Sequence, residues 1–384
     1  MALELRTLLQ EVYNREGSDL HLVVGQPPIF RINGVLIPRE DGPILDNDLL
    51  TALVLPHLGE QFQLQLEAGQ DVVTTLRQSE GIAHDDDGVF RMSNGGTRQG
   101  DGVFRMNVFR EQGRLAVAIR VIPTKVPTLE ELGLTADTLP RSINGQSVLH
   151  ALTKTQRGLI LIVGNTGSGK STLAAAMIEE INQTRVERIL TVEHPVEYVF
   201  QSRKSIITQR TVGEDVPDYP TALRSALYSD PDVIFVGQSV DIETLGLTLG
   251  IANTGHLVFS VLHVDSVSEA IQRLLESFPS GPQQETARRL LARNLVAVIA
   301  QKLLPRKGPQ GRLAVQEIMI VTPHIKQMIL DGQADFTVGI EAGRNIGMQT
   351  MDDAVAAAYE RGDISYEMAL FNISDRERIP ASIA

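Results

Sequence analysis

A glycine-rich run at residues 164–171 has the residue types and the spacing of a phosphate-binding loop. The run, Gly-Asn-Thr-Gly-Ser-Gly-Lys-Ser, fits the pattern G-x-x-x-x-G-K-[ST]. Its glycines let successive backbone N–H groups face phosphate oxygens, and a following helix adds its positive N-terminal end. An apolar segment (159–163) precedes the run and an Ala-rich helical segment follows it. The alternative is a chance match in a glycine-containing turn, which this context disfavours.

We therefore predict that the loop binds ATP together with Mg²⁺. Lys170 would reach the β- and γ-phosphates, and the hydroxyl of Ser171 would be a ligand of the metal. The predicted nucleotide-binding residues of the loop and the helix start are Gly164, Asn165, Thr166, Gly167, Ser168, Gly169, Lys170, Ser171 and Thr172.

Hydrolysis at such a loop needs acidic groups at the ends of neighbouring strands, where they hold Mg²⁺ and orient water. The apolar segment 189–192 runs into Glu193, and the apolar segment 233–236 runs into Gly237-Gln238. We predict that Glu193 and Gln238 are catalytic residues, although an amide stands at the second position where an acid is expected. Gln238 would be a weak metal ligand that acts through water. The alternatives are a capping or surface carboxylate for Glu193 and an ordinary polar loop residue for Gln238.

Two histidines, His256 and His263, flank an apolar strand-like segment, 257–262. A metal site needs more ligands than this pair, and a lone His beside a strand is usually structural. Spacing alone therefore favours a structural interpretation of both residues.

The elements that must position these groups divide the chain into four parts. The first part, 1–122, mixes a helical stripe with short strands and is predicted to be α+β. Residues 123–156 contain closely spaced prolines at their start and are predicted to be a linker and domain junction. Between 157 and 320, apolar strands alternate with helices, which favours an α/β core with a parallel-rich sheet. The remaining segment, 321–384, is predicted to be helical.

Within the first part, the hexapeptide Asp-Gly-Val-Phe-Arg-Met occurs twice, at 87–92 and at 101–106. The Gly-rich spacer between the copies predicts a hairpin of two similar strands. A single short duplication does not indicate a repeat protein.

Composition excludes several classes of protein. The 384 residues include 35 Lys plus Arg and 47 Asp plus Glu, so the net charge is −12, which disfavours a dedicated nucleic-acid binder. There is no Cys, which excludes a disulfide scaffold and a Cys-based zinc site. The N-terminus lacks the pattern of a signal peptide, and the most apolar stretch, 245–264, contains polar residues that a bilayer span would exclude. We interpret that stretch as a buried helix and strand, and we expect a cytoplasmic protein.

Four sequence motifs follow one another in an order that resembles the secretion ATPase superfamily. They are a Walker A loop (164–171), an acidic box (191–197), a Walker B strand (230–237) and a histidine box (254–263). Within that superfamily the chain resembles the PilT-type retraction ATPases of type IV pili. Further runs that resemble this family lie at 18–28, 102–110, 127–134, 300–306 and 347–351, so the resemblance covers nearly the whole chain.

The resemblance implies a RecA-like core, a PAS-like N-terminal domain and a homohexameric ring. It also implies a location at the cytoplasmic side of the inner membrane, through a platform protein of the pilus. ATP hydrolysis in the ring would drive pilus retraction and twitching motility. The family's motifs give Glu193 the water-activating position and give His256 and His263 catalytic positions. Arginines of the N-terminal domain reach nucleotide between domains or subunits in the family, and here they match Arg105, Arg110 and Arg120, for each of which a solvated strand face is the alternative.

Three departures from the family's motifs leave the catalytic competence open. His194 stands where the family has Asp, Gln238 where it has Glu, and Val240 where it has Arg. Gln is neutral, so it cannot balance the charge of a metal ion. The first hypothesis is a working retraction motor. The second is a nucleotide-binding accessory or regulatory paralogue with weak or no ATPase activity, which acts beside an active paralogous ATPase. The third is a DNA-translocating ATPase, which the charge disfavours, so we expect no nucleic-acid partner.

Overall fold

The structure is a computed structural model that describes residues 3–32, 34–77, 102–123, 125–142, 144–238, 241–307 and 311–379. The chain forms two compact units, Met1–Lys125 and Val126–Ala384. The second unit includes residues 126–156, for which the sequence predicts a linker and junction. The first copy of the duplicated hexapeptide, its spacer and Val240 lie outside the described residues, so the predicted hairpin between the copies stays a prediction.

The N-terminal unit is built on a six-stranded antiparallel sheet, with strand order β3-β2-β1-β6-β5-β4. Its strands are β1 (Asp19–Val23), β2 (Ile29–Ile32), β3 (Val35–Pro38), β4 (Val72–Arg77), β5 (Val103–Glu111) and β6 (Arg114–Ile122). Its helices are α1 (Leu5–Asn14), α2 (Asn47–Val54) and α3 (Glu60–Glu67). The first helix buries its apolar stripe, which consists of Leu5, Leu8, Leu9 and Val12. The predicted α+β class of this unit is confirmed.

A buried carboxylate joins three strands of this sheet. Asp19 on β1 lies directly opposite Arg31 on β2 and Arg120 on β6. Its carboxylate accepts a hydrogen bond from Nε of Arg120 at 2.8 Å and lies 3.5 Å from Nε of Arg31. Burial raises the pKa of Asp19, but the hydrogen bonds from Arg120 and Ser18 and the charge of Arg120 outweigh it, and the net pKa is lowered.

The second unit is built on a seven-stranded sheet, with strand order β13-β12-β7-β11-β10-β8-β9. Its strands are β7 (Gly158–Val163), β8 (Arg188–Glu193), β9 (Ile206–Thr211), β10 (Val233–Val236), β11 (Leu257–Leu262), β12 (Leu295–Pro305) and β13 (Arg312–Ile320). All neighbouring pairs are parallel except β12 and β13. Every residue of β7, β10 and β11 is buried, as expected for strands covered by helices on both faces. The predicted parallel-rich α/β core is confirmed.

The helices of the second unit pack on both faces of the sheet. They are α4 (Val148–Leu152), α5 (Lys170–Thr184), α6 (Tyr219–Ala226), α7 (Ile242–Asn253), α8 (Val267–Glu276), α9 (Pro282–Asn294), α10 (Pro323–Leu330), α11 (Thr337–Ala342), α12 (Met351–Glu360) and α13 (Tyr366–Asn372). One core contains α5 with Ile160 and Ile162 of β7, and another contains α7 and α9 with Leu159, Leu161 and Val163. Alternate side chains of β7 thus enter opposite cores, because successive residues of a strand point to opposite faces.

The apolar stretch 245–264 forms most of α7 and all of β11, which confirms its interpretation as a buried helix and strand. Among the described residues, no helix combines the length and the apolar character that crossing a membrane requires.

We expect Asp19→Asn to lower the free energy of unfolding of the N-terminal unit at pH 7 by about 1–2 kcal/mol, because it removes the charged partner of two arginines. A lowered native pKa gives stability that is present above the usual pKa of Asp and is lost as the pH falls through the native value. Urea unfolding at pH 7 and pH 3 should therefore show a difference between variant and wild type that shrinks at pH 3. Asp71→Asn, at an exposed position, is the control. A difference that persists or grows at pH 3 would contradict the ion-pair explanation.

Candidate nucleotide-binding site

The phosphate-binding loop joins the end of β7 to the start of α5. Gly164 and Gly169 have φ values of 150° and 84°, and Gly169 is the N-cap of α5. A Cβ on Gly164 would collide with the backbone oxygen of Gln301, and one on Gly169 would lie 2.8 Å from Nε2 of the same residue. Glycine is therefore required at both positions by backbone conformation and by the close approach of β12.

Lys170 begins α5 and turns back across the loop. Its side chain is buried, and its Nζ donates a hydrogen bond to the backbone oxygen of Asn165 at 2.7 Å. Burial lowers the pKa of Lys170, and the charges of Glu197 and Asp265 raise it in part. Oγ of Ser168 is also buried, and it has no hydrogen-bond partner within the described part of the chain. A buried cation and a buried hydroxyl donor in one loop suit an anionic ligand.

Glu193 ends β8 and is buried, with 6% of its surface exposed. Its Oε1 accepts hydrogen bonds from Oγ1 of Thr191 at 2.6 Å and from Nε2 of Gln209 at 3.3 Å. Its Oε2 accepts one from the backbone N–H of Glu197 at 3.4 Å. Burial raises the pKa of Glu193 to about 7, against the opposing effect of these donors. Glu193 can therefore exchange a proton near neutral pH.

Gln238 lies at the same edge of the sheet as Glu193. Val236 at the end of β10 pairs with Val192, and the N–H of Gly237 donates to the backbone oxygen of Val192 at 2.8 Å. Gln238 follows and is half-buried. The structure thus brings the ends of β7, β8 and β10 to one edge, as the parallel pattern predicts.

Two further predicted residues lie at the start of α5. Ser171 and Thr172 are both half-buried, and Oγ1 of Thr172 is 2.8 Å from the hydroxyl of Tyr198. Ser171 directly follows Lys170, so its hydroxyl is placed in the first turn of the helix beside the loop.

The structure separates the two histidines. His263 follows the last residue of β11, at the edge that carries the phosphate loop, and partial burial and the charge of Lys170 lower its pKa. His256 precedes β11, and its backbone oxygen accepts from the N–H of Gly158 at the start of β7. A six-residue strand places the two side chains ~20 Å apart. His256 is therefore not brought to the phosphate loop of its own chain, and its catalytic role stays a prediction.

The three predicted arginines belong to the N-terminal unit. Arg105 and Arg120 are directly opposite on β5 and β6, and Arg120 is paired with Asp19. Nε of Arg110 donates to the backbone oxygen of Leu66 at 3.5 Å. Each arginine thus lies on the antiparallel sheet, and contact with nucleotide stays a prediction for all of them.

The sequence did not reveal the groups behind the loop. Nε2 of Gln301 on β12 donates to the backbone oxygen of Ser168 at 2.8 Å, and Nη1 of Arg312 on β13 lies 3.5 Å from the backbone oxygen of Gly167. Two signals pointed to Gln301: its place in the run 300–306 that resembles the family, and its polar side chain inside the apolar run of β12, since Gln is seldom fully buried without a partner.

Comparisons with known proteins agree with this geometry. The family of type II/IV secretion system proteins matches residues 103–367. The type IV pilus retractation ATPase PilT of Pseudomonas aeruginosa is 35% identical over 379 residues, which cover 98% of this chain and 99% of that protein. The type IV pilus ATPase PilU of the same organism is 33% identical over 96% of this chain and 88% of PilU.

A solved structure is also similar over almost the whole chain. The crystal structure of the pilus retraction motor PilT with bound ADP has a TM-score of 0.82 and 33% identity, and the likeness covers 98% of this chain and 99% of that one. This likeness confirms the predicted fold class, a RecA-like α/β core with a helical C-terminal region.

We expect Glu193→Gln to raise the free energy of unfolding at pH 8, on the order of 3 kcal/mol, because it removes a buried charge. A raised native pKa favours the folded state at low pH, and this contribution is lost as the pH rises through about 7. The gain should therefore disappear below pH 5, where the carboxyl is protonated in the folded state.

Urea unfolding at pH 8 and pH 5 measures this difference. Glu276→Gln, an exposed position on α8, is the control and should change stability by less than about 0.5 kcal/mol at both pH values. Destabilisation of Glu193→Gln at pH 8 would show that the carboxylate is held as a stabilised ion.

Proposed function

Because this chain belongs to the family of type II/IV secretion system proteins and, within it, to the PilT-type ATPases, we propose that it is an ATP-driven motor of a type IV pilus. It couples ATP hydrolysis to pilus retraction and so to twitching motility. The observation that carries the proposal is the shared edge of the sheet, where a phosphate loop with a buried lysine lies beside a buried glutamate that titrates near pH 7.

The loop fits the phosphates of ATP. Its glycines leave room for a close approach of the ligand, and Lys170 supplies the positive charge once its bond to Asn165 is exchanged for phosphate oxygens. The buried hydroxyl of Ser168 supplies a donor. Ser171 would hold Mg²⁺, with Gln238 contributing through water, because both offer neutral oxygen ligands at this edge. When bound, the metal ion neutralises charge that develops on the phosphates.

Glu193 is the candidate general base. A base works best when its pKa is close to the operating pH, and burial brings the pKa of this carboxyl to about 7. Oγ1 of Thr191 and Nε2 of Gln209 both donate to its Oε1, which fixes the orientation of the carboxylate. Within the part of the chain that the structure describes, Oε2 receives only a long hydrogen bond, from Glu197 N–H at 3.4 Å, and it is the oxygen better placed to accept a proton from an attacking water.

The second candidate function is a nucleotide-binding accessory or regulatory ATPase with weak hydrolysis. Gln238 favours it, because an amide cannot balance the charge of a metal ion.

The proposal includes an assembly. The resemblance to retraction ATPases implies a homohexameric ring that works at the cytoplasmic side of the inner membrane, on a platform protein of the pilus. In the second candidate function it would act beside a paralogous ATPase. In a ring of identical subunits, one surface patch of each subunit contacts a different patch of the next subunit. Because the ring closes after a fixed number of subunits, the assembly has a single, defined mass. Light scattering of the purified protein with and without ATP tests the ring.

We expect purified wild-type protein to hydrolyse ATP and Lys170→Ala to lower kcat at least 10²-fold, because it removes the cation that faces the phosphates. A steady-state phosphate-release assay measures both. Lys326→Ala, an exposed lysine on α10, is the matched control and should keep wild-type turnover. Turnover that survives Lys170→Ala would come from a contaminant or another site and would contradict the proposal.

We expect Gln238→Glu to raise kcat about tenfold or more, because it restores a charged contact to the predicted metal site. Gln283→Glu makes the same chemical change at an exposed position of α9 and should leave kcat unchanged. A wild type without turnover that becomes active on Gln238→Glu would favour the accessory function. Robust wild-type turnover that Gln238→Glu does not raise would instead show that the amide is compatible with a working motor.

A further inference from the structure

Three glutamines are linked by hydrogen bonds behind the phosphate loop. Nε2 of Gln301 donates to the backbone oxygen of Ser168 at 2.8 Å, and Nε2 of Gln316 donates to Oε1 of Gln301 at 2.9 Å. Nε2 of Gln349 donates to the backbone oxygen of Gln316 at 2.7 Å. Gln301 and Gln316 are almost fully buried, with 3% and 1% of their surfaces exposed. Burying an amide group is unfavourable unless it is hydrogen-bonded, so these hydrogen bonds are needed to keep the glutamine side chains in the core.

The second glutamine sets the direction of the first. Because Gln316 occupies Oε1 of Gln301 as a donor, the amide of Gln301 presents its N–H group to the loop. A flipped amide would place two donors against each other on one side and two acceptors on the other. The side chain of Gln301 is therefore a donor of fixed orientation.

That donor controls the direction of one backbone N–H. The peptide between Ser168 and Gly169 is planar and trans, so its N–H points away from its C=O. Since the C=O of Ser168 is directed toward Gln301, the N–H of Gly169 is directed away from β12. Gly169 is the N-cap of α5, and the first N–H groups of a helix have no acceptor within it. The hydrogen bond thus orients this N–H toward the space that an anion would occupy at the helix start.

We propose that Gln301 is a positioning residue for the nucleotide phosphates, which acts by orienting the Ser168–Gly169 peptide, and that Gln316 fixes the amide of Gln301. This inference rests on the proposed function of ATP binding. The chain of bonds also ends outside the loop, because Gln349 pairs through its backbone with Ile318 of β13 and directly precedes the N-cap of α12. The segment that leads into the C-terminal helices is therefore connected to the phosphate-binding backbone.

Nucleotide affinity tests the proposal directly. We expect Gln301→Leu to raise the Kd for a fluorescent ADP analogue about tenfold, because it leaves the peptide without its anchor. Gln316→Leu should raise the Kd by a smaller factor. The double variant should bind no more weakly than Gln301→Leu alone, because Gln316 acts through Gln301 and the two effects are not additive.

A matched control separates positioning from general loss of stability. Thr248→Val removes a buried hydroxyl whose Oγ1 donates to the backbone oxygen of Thr244, so it loses one buried hydrogen bond away from the loop. It should lower the melting temperature by an amount similar to Gln301→Leu and keep the wild-type Kd. Equal Kd values for wild type and Gln301→Leu, or an equal rise in Thr248→Val, would overturn the proposal.

Gln301→Glu covers the case in which Gln301→Leu does not fold. The carboxylate has the same shape but no donor, so its Kd should exceed the wild-type value at pH 8. Protonation restores a donor, and the ratio of the two Kd values should fall toward one at pH 5.5. A ratio that stays constant with pH, or no difference at pH 8, would contradict the proposal. A wild type that binds no nucleotide at all would contradict the proposed function itself, which is a separate and recognisable failure.

Discussion

The parallel register of β7, β11, β10 and β8 is the constraint on which the site depends. Parallel strands bring their carboxyl ends to one edge, so the loop after β7, Glu193 at the end of β8 and Gln238 after β10 lie at the same edge of the sheet. The register is maintained by strands that are apolar on both faces, because each alternate side chain enters a different core. Shifting one strand by a residue would exchange these faces and displace the group at its end.

Burial at this edge of the sheet shifts the pKa values of the charged groups in the site. The same dry surroundings raise the pKa of Glu193 and lower the pKa of Lys170, so both groups are drawn toward their neutral forms. An incoming polyanion reverses that tendency for the lysine, since a negative partner favours the ammonium form. Burial of apolar surface therefore both stabilises the core and shifts the pKa values of the groups at the site.

The sequence predicted the phosphate loop, the strand ends and the α/β class, because these depend on local patterns: fixed glycine spacing and continuous apolar runs. It did not predict the position of Gln301, since a contact between residues 133 positions apart has no local signature. His256 shows the same limit. The resemblance to the family places it in one box with His263, but six intervening strand residues put the two histidines at opposite ends of β11. Local periodicity predicts a helix or a strand. Only the assembled sheet shows which strand ends lie next to one another.

The pairing of β12 with β7 affects the order in which the parts of the phosphate-binding site become available during synthesis. The strand that supports the phosphate loop lies about 130 residues after it in the chain and is synthesised after it. A nascent chain that has emerged only as far as α9 has the whole loop sequence and β11, but it lacks β12, the second of the two strands that pair with β7. Pairing of two strands across such a separation is slow, because the long segment of chain between them must bring its two ends together first. The complete loop sequence is therefore synthesised before the strand that carries Gln301 behind it.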